Sequence, residues 1–145
     1  MNKKLWLTLV GAMLVAGWTV ALWPKAHQVR AIYMPAADWL IAIGAIAVNQ
    51  HDVAVAVLEI VLNVLVYVPF SCVMYLGLTK FRVAITLGFS LFLSVTGELA
   101  QLYFVPERVP TIFDVYANFA GAILGLGLAL VMQRFSLFGL RRKSS

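Results

Sequence analysis

Long apolar runs separated by short polar breaks dominate the chain. A helix needs about 20 mostly apolar residues to cross the hydrocarbon of a bilayer. Four runs qualify, at residues 5–23, 53–78, 83–104 and 112–132, the second interrupted by Glu59, Asn63 and Pro69. Between the first two lies PAADWLIAIGAIAV, residues 35–48, which is short for a span and carries Asp38 and Trp39. It reads as an interfacial or re-entrant segment. The pattern predicts an all-α membrane protein: one domain over residues 1–145, folded as a compact bundle of four transmembrane helices.

Composition sharpens this reading. The chain is 63% hydrophobic and 12% charged, where a soluble domain is about 45–50% apolar and about 25% charged. Mean hydropathy is +0.94. The net charge of +5 does not indicate nucleic acid, because the basic residues neither line a helix face nor interleave with exposed aromatics. They cluster between the apolar runs and orient the bundle. With both termini cytoplasmic, Lys3, Lys4, Lys80, Arg82, Arg134, Arg141, Arg142 and Lys143 lie inside and Lys25, Arg30 and Arg108 outside, the bias that membrane insertion favours. All the acids then fall at the outer surface or in the outer half. The first run is long for a signal-peptide core and lacks an A-x-A-like site, so it reads as a retained span. Cys72 is the only cysteine, which excludes an internal disulfide.

The polar residues inside the spans carry the candidate chemistry. Three spans each hold a pair at helical spacing: Glu59 with Asn63, Glu98 with Gln101, and Asp114 with Asn118. Residues three or four apart share a helix face. At 1.5 Å rise per residue, Glu59, Glu98 and Asn118 each lie about 9 Å below the outer edge, Gln101 about 5 Å and Asp114 about 3 Å. A charged side chain at mid-membrane costs about 2.5–3.5 kcal/mol, so such groups turn toward the bundle interior or a wet cavity. One outward-open pocket lined by all three faces satisfies the six residues, with Arg108 at its rim as a counter-charge. Ala117, Gly121, Gly125 and Ala129 recur every fourth residue, a small-residue stripe that admits a close neighbouring helix. Pro69 removes one backbone hydrogen bond and predicts a kink below Asn63.

Each candidate also has a plainer role. Thr111-Ile-Phe-Asp114 is a capping box at the start of the last span. Glu98 can be a structural carboxyl bonded to neighbouring amides. Arg108 can be a surface partner of Glu107, or a fork for a lipid phosphate or carboxylate. His27 and His51 lack ligand spacing, so no metal is expected, nor any cofactor. The tryptophans read as interface anchors or lipid-facing bulk. Ser94 and Thr96 read as ordinary small helix residues. No nucleophile motif or phosphate loop is present. The inner halves of the spans read as almost wholly apolar, which argues against an ion or proton path; the oligomeric state is left open.

The stretch GELAQLYFVPERVPTIFDVYANFAGAILG resembles the VanZ-like family, whose signature runs E-x-x-Q, a loop arginine, then D-x-x-x-N-x-x-G. Glu98, Gln101, Arg108, Asp114, Asn118 and Gly121 fall on it. NVLVYVPFS, with Asn63 and Pro69, resembles a second family segment, with Ser71 and Cys72 where glycine is more usual. The resemblance implies a small multi-pass protein of the bacterial cytoplasmic membrane, in a family linked to low-level resistance to the glycopeptide teicoplanin. It names no reaction. Two functions are therefore expected to compete. In the first, the pocket binds or modifies an outer-leaflet amphiphile: a cell-envelope lipid, a lipid-linked precursor or a lipoglycopeptide. Glu98 and Asp114 would then serve as acid, base or polar wall, with Asn63, Gln101, Arg108, Asn118 and Glu59 binding. In the second, the protein is a non-enzymatic assembly factor whose polar cluster is structural.

Overall fold

The computed structural model describes residues 2–22, 26–47, 49–105 and 111–141. These residues form five helices: α1 (Lys3–Ala21), α2 (Ala26–Ala42), α3 (His51–Gly77), α4 (Arg82–Phe104) and α5 (Ile112–Arg141). Four of them, α1, α3, α4 and α5, are long and apolar enough to cross a membrane. They stand where the apolar runs place them.

Two boundaries differ from the sequence reading. The expected segment 35–48 is instead the helix Ala26–Ala42, with Pro35 inside it. Its end is set by Gly44, at φ 73°. Ala45 N–H donates to Leu40 O at 3.0 Å and Gly44 N–H to Ile41 O at 2.9 Å, a Schellman stop that glycine allows without steric cost. The last helix runs past residue 132 to Arg141, because nothing in MQRFSLFGLR breaks it.

Helix α3 is the hub and contacts every other helix. Trp6 of α1 reaches Val73 near its far end, and Ser71 pairs with Ser90 of α4. These pairings make α3 antiparallel to α1 and α4. Val64 and Val68 face Gly121 and Gly125, so α3 and α5 run parallel. One end of the bundle therefore gathers Asn63, Glu98 and Asp114, here the polar end. The opposite end gathers the start of α1, Tyr75, Arg82 and Gln133. Helix α2 packs at the polar end, where Ala37 meets Ala54 and Val55.

The closest packing lies between α3 and α5. Ala117 and Ala129 are buried with the two glycines. A methyl at Gly121 would run into the Val64 carbonyl, and one at Gly125 into the Val68 carbonyl. The small-residue stripe thus works as expected, bringing backbone against side-chain-free backbone. Leu65, Phe92, Leu99 and Leu124 point outward and are exposed, as a lipid-facing surface requires. Helix α3 continues unbroken through Pro69.

The α4 face that turns inward carries small hydroxyl residues. Thr86, Ser90 and Ser94 are fully or almost fully buried along one face of α4. Ser90 Oγ lies 3.1 Å from Ser71 Oγ, and Tyr75 donates to Gln133 Oε1 at 3.3 Å. The interior there is mostly apolar, around Val10, Phe70, Met74 and Leu126, with a few hydroxyls set into it. Their size explains them: all three let helices approach closely, and Ser90 and Ser94 also bond across the gap.

Candidate functional site

Thr111 is the focus of the polar end. It precedes α5, and Asp114 N–H donates to its Oγ1 at 3.3 Å. The Thr111 hydroxyl also donates to Asp114 Oδ2 at 2.7 Å, so only the first arm of the expected capping box forms, and the reciprocal bond to the Thr111 backbone N–H is taken by another carboxylate. The Thr111 backbone N–H donates to Glu98 Oε2 at 3.2 Å. Both carboxylates therefore sit at the N-terminus of α5, where its orphan N–H groups and helix dipole favour negative charge.

Two further bonds tie the three spans together. Asn63 Nδ2 donates to Asp114 Oδ1 at 2.6 Å, joining α3 to α5. Asn118 Nδ2 donates to Ser94 Oγ at 2.9 Å, joining α5 to α4. Asn118 is buried, while Asp114, Asn63, Glu98 and Gln101 are half-buried. Asp114 is thus a cap and an interhelical bridge at once.

Beside this cluster lies a cavity of about 400 Å³. Its polar wall comprises Asn63, Tyr67, Ser94, Glu98, Gln101 and Asn118. The opposite wall is α1, through Met13, Leu14, Gly17, Trp18 and Ala21. Pro69 and Phe70 line it from α3. On the side of the α1 N-terminus, Val10, Phe70 and Met74 form a buried cluster with Met13 packed on it, and this is the cavity floor. Methyl groups built at Gly17 and Gly97 would meet nothing within 4 Å, so both glycines border open space.

The expected residues divide. Asn63, Glu98, Gln101 and Asn118 line one cavity. Asp114 stands behind that wall, holding Asn63. Glu59 is exposed on α3 and does not line this cavity. Arg108 and Glu107 lie outside the described residues. Tyr67, Ser94 and the whole α1 wall join the site unexpectedly. Tyr67 follows Asn63 by four residues and its hydroxyl sits against Ser94, which precedes Glu98 by four. That shared periodicity is the signal that could have found both. Trp18 lines the cavity and is not merely lipid-facing. Nothing in its sequence surroundings marks it.

Chemically, the polar wall offers amide donors and acceptors, hydroxyls and one carboxylate. Among the described residues no group of three or more His, Cys, Asp and Glu could hold a metal ion. Cys72 is buried between α3 and α5, its Sγ 3.9 Å from Met132 Sδ, away from the cavity.

A family model described as VanZ/LLP1 matches residues 5–133, nearly the whole chain. No curated protein and no solved structure matches it. The chain belongs to the VanZ/LLP1 family.

Proposed function

From this membership, we propose that the protein holds the head group of a membrane amphiphile in the cavity between α1 and the polar faces of α3, α4 and α5. The observation that carries the reading is the contrast between the cavity walls: one polar, the other apolar. A ligand that is polar at one side and hydrocarbon at the other matches both. The space of about 400 Å³ is on the scale of a small-ligand pocket and takes a polar head group.

The ligand class is an outer-leaflet cell-envelope lipid, a lipid-linked precursor or a lipoglycopeptide. The charge bias supports a reading with both termini in the cytoplasm and the polar end outside, and the family resemblance supports a bacterial cytoplasmic membrane. Teicoplanin resistance is the physiological outcome proposed for such binding. Should the ligand be chemically changed, Glu98 is the better proton carrier, because it lines the cavity and Asp114 stands behind the wall.

The test is lipid mass spectrometry on purified protein, comparing wild type with Glu98→Gln and Gly97→Leu at matched yield. A Cβ at Gly97 meets nothing within 4 Å, so a side chain there starts out in the open space of the cavity. The expected result is a specific lipid on wild type, absent from Gly97→Leu and reduced in Glu98→Gln. Identical bulk lipids on all three would refute the reading.

A second reading has its own support: both carboxylates bond to Thr111. A purely structural cluster predicts that Glu98→Gln lowers thermal stability and that every loss of function tracks abundance.

A further inference from the structure

The cavity has an unequal enclosure. Helix α1 is fixed at its first half. The Trp6 indole N–H donates to Val73 O at 3.0 Å, and its ring fills the notch left by Gly77. Val10 packs on Phe70 and Met74. Beyond Val10 no α1 side chain is buried, although residues 13–21 form a whole wall of the cavity. Helix α1 makes far less contact with α4 than with α3. The wall is therefore attached at one end and laid loosely along the other helices at the other.

Resting on the head-group reading above, we infer that the ligand is a membrane-resident lipid that enters sideways, between the second half of α1 and α4, and leaves its chains in the bilayer. Four observations converge. The floor of Val10, Phe70 and Met74 closes the cavity toward the opposite end of the bundle. The α1 side of the cavity is apolar, so hydrocarbon attached to a head group on the polar wall finds its matching surface along α1. The weakly held wall is α1 against α4. Gly17 on α1 and Gly97 on α4 both border open space, which keeps room for a chain beside the polar groups. The ligand's polar part then meets Gln101, Glu98 and Asn118, while its first methylenes lie against Met13, Leu14 and Trp18. A water-soluble solute entering from the aqueous surface would need none of this apolar wall.

The experiment locks the wall. Gly17→Cys and Gly97→Cys are combined with Cys72→Ala, since both glycine sites accept a side chain. The protein is reconstituted in nanodiscs of perdeuterated phosphatidylethanolamine, phosphatidylglycerol and undecaprenyl phosphate, then treated with a short bifunctional maleimide. A matched sample receives a monofunctional maleimide. Both are mixed with vesicles of the same lipids in protiated form, and protein-bound lipid is followed by native mass spectrometry. The crosslinked protein should exchange its bound lipid about tenfold or more slowly than the singly labelled control, as expected when the dissociation path is blocked. Equal exchange rates would overturn the lateral route while leaving the head-group site intact. Absence of retained lipid on wild-type protein would overturn the head-group reading, and the lateral route with it.

Discussion

Replacing Gly125 by alanine tests the packing that sets the site. A methyl there would lie far inside contact distance of the Val68 carbonyl, against backbone that cannot rotate away. Restoring an ordinary contact separates α3 from α5 by about 1 Å, and a gap of about 0.5–1 Å already forfeits a quarter to a half of each dispersion contact. Overpacking of this kind costs about 1–3 kcal/mol, and the rigid partner places it at the upper end. Alanine returns about 1 kcal/mol of helix propensity, leaving a net loss of about 2 kcal/mol. Gly127 supplies the control on the same helix, because a methyl there meets nothing within 4 Å. Gly127→Ala keeps the propensity gain and should be neutral or stabilising by up to about 1 kcal/mol. Both are read by reversible unfolding in mixed micelles of sodium dodecyl sulfate. The same separation would stretch the 2.6 Å Asn63–Asp114 bond, so bound lipid should also fall in folded Gly125→Ala. A Gly125→Ala protein as stable as wild type, or a Gly127→Ala protein equally damaged, refutes the close-contact account.

Other substitutions separate the remaining contacts. Thr86 is fully buried and its Oγ1 has no hydrogen-bond partner among the described residues. Thr86→Val should therefore stabilise the protein by about 1 kcal/mol in the same unfolding assay; a comparable loss would mean that the hydroxyl is bonded. Trp6→Phe removes the indole N–H from Val73 O and part of the ring beneath Gly77. It should cost about 1–2 kcal/mol and speed lipid exchange by releasing α1 along its whole length; unchanged exchange with reduced stability would confine Trp6 to a structural role.

Much of this architecture could be read from residue order. Span lengths placed the four long helices, because a bilayer sets a minimum apolar length. The small-residue spacing marked the α5 face that a neighbour approaches, and the structure supplies the neighbour, α3, through Val64 and Val68. Helical spacing brought Asn63, Glu98, Gln101 and Asn118 to one cavity. The same argument failed for Glu59. Four residues nearer the helix end, it lies about 6 Å beyond Asn63, past the last α3 residue of the cavity wall. The α1 wall was not legible, because apolar side chains look alike whether they face lipid or a cavity. Ser94 and the other α4 hydroxyls were passed over for a related reason. A lone serine reveals no partner until Asn118 or Ser71 is placed opposite it. The early start of α2 was hidden by Pro35, which reads as a helix start but lies inside the helix.

The sparse attachment of α1 bears on how the protein is made. Its first stable neighbour, α3, is synthesised later, so α1 must wait in the lipid as a solitary span. Its composition suits that interval. The hydroxyls of Thr8 and Thr19 donate to carbonyls of their own helix, Lys4 O at 3.0 Å and Val15 O at 2.7 Å. No charge falls between Leu5 and Leu22. The amides and carboxylates of α3, α4 and α5 find partners across helix boundaries, so those three spans have reason to leave the insertion machinery as a group. Biogenesis would then proceed in two stages: a self-sufficient leader first, and an interdependent trio that closes around it.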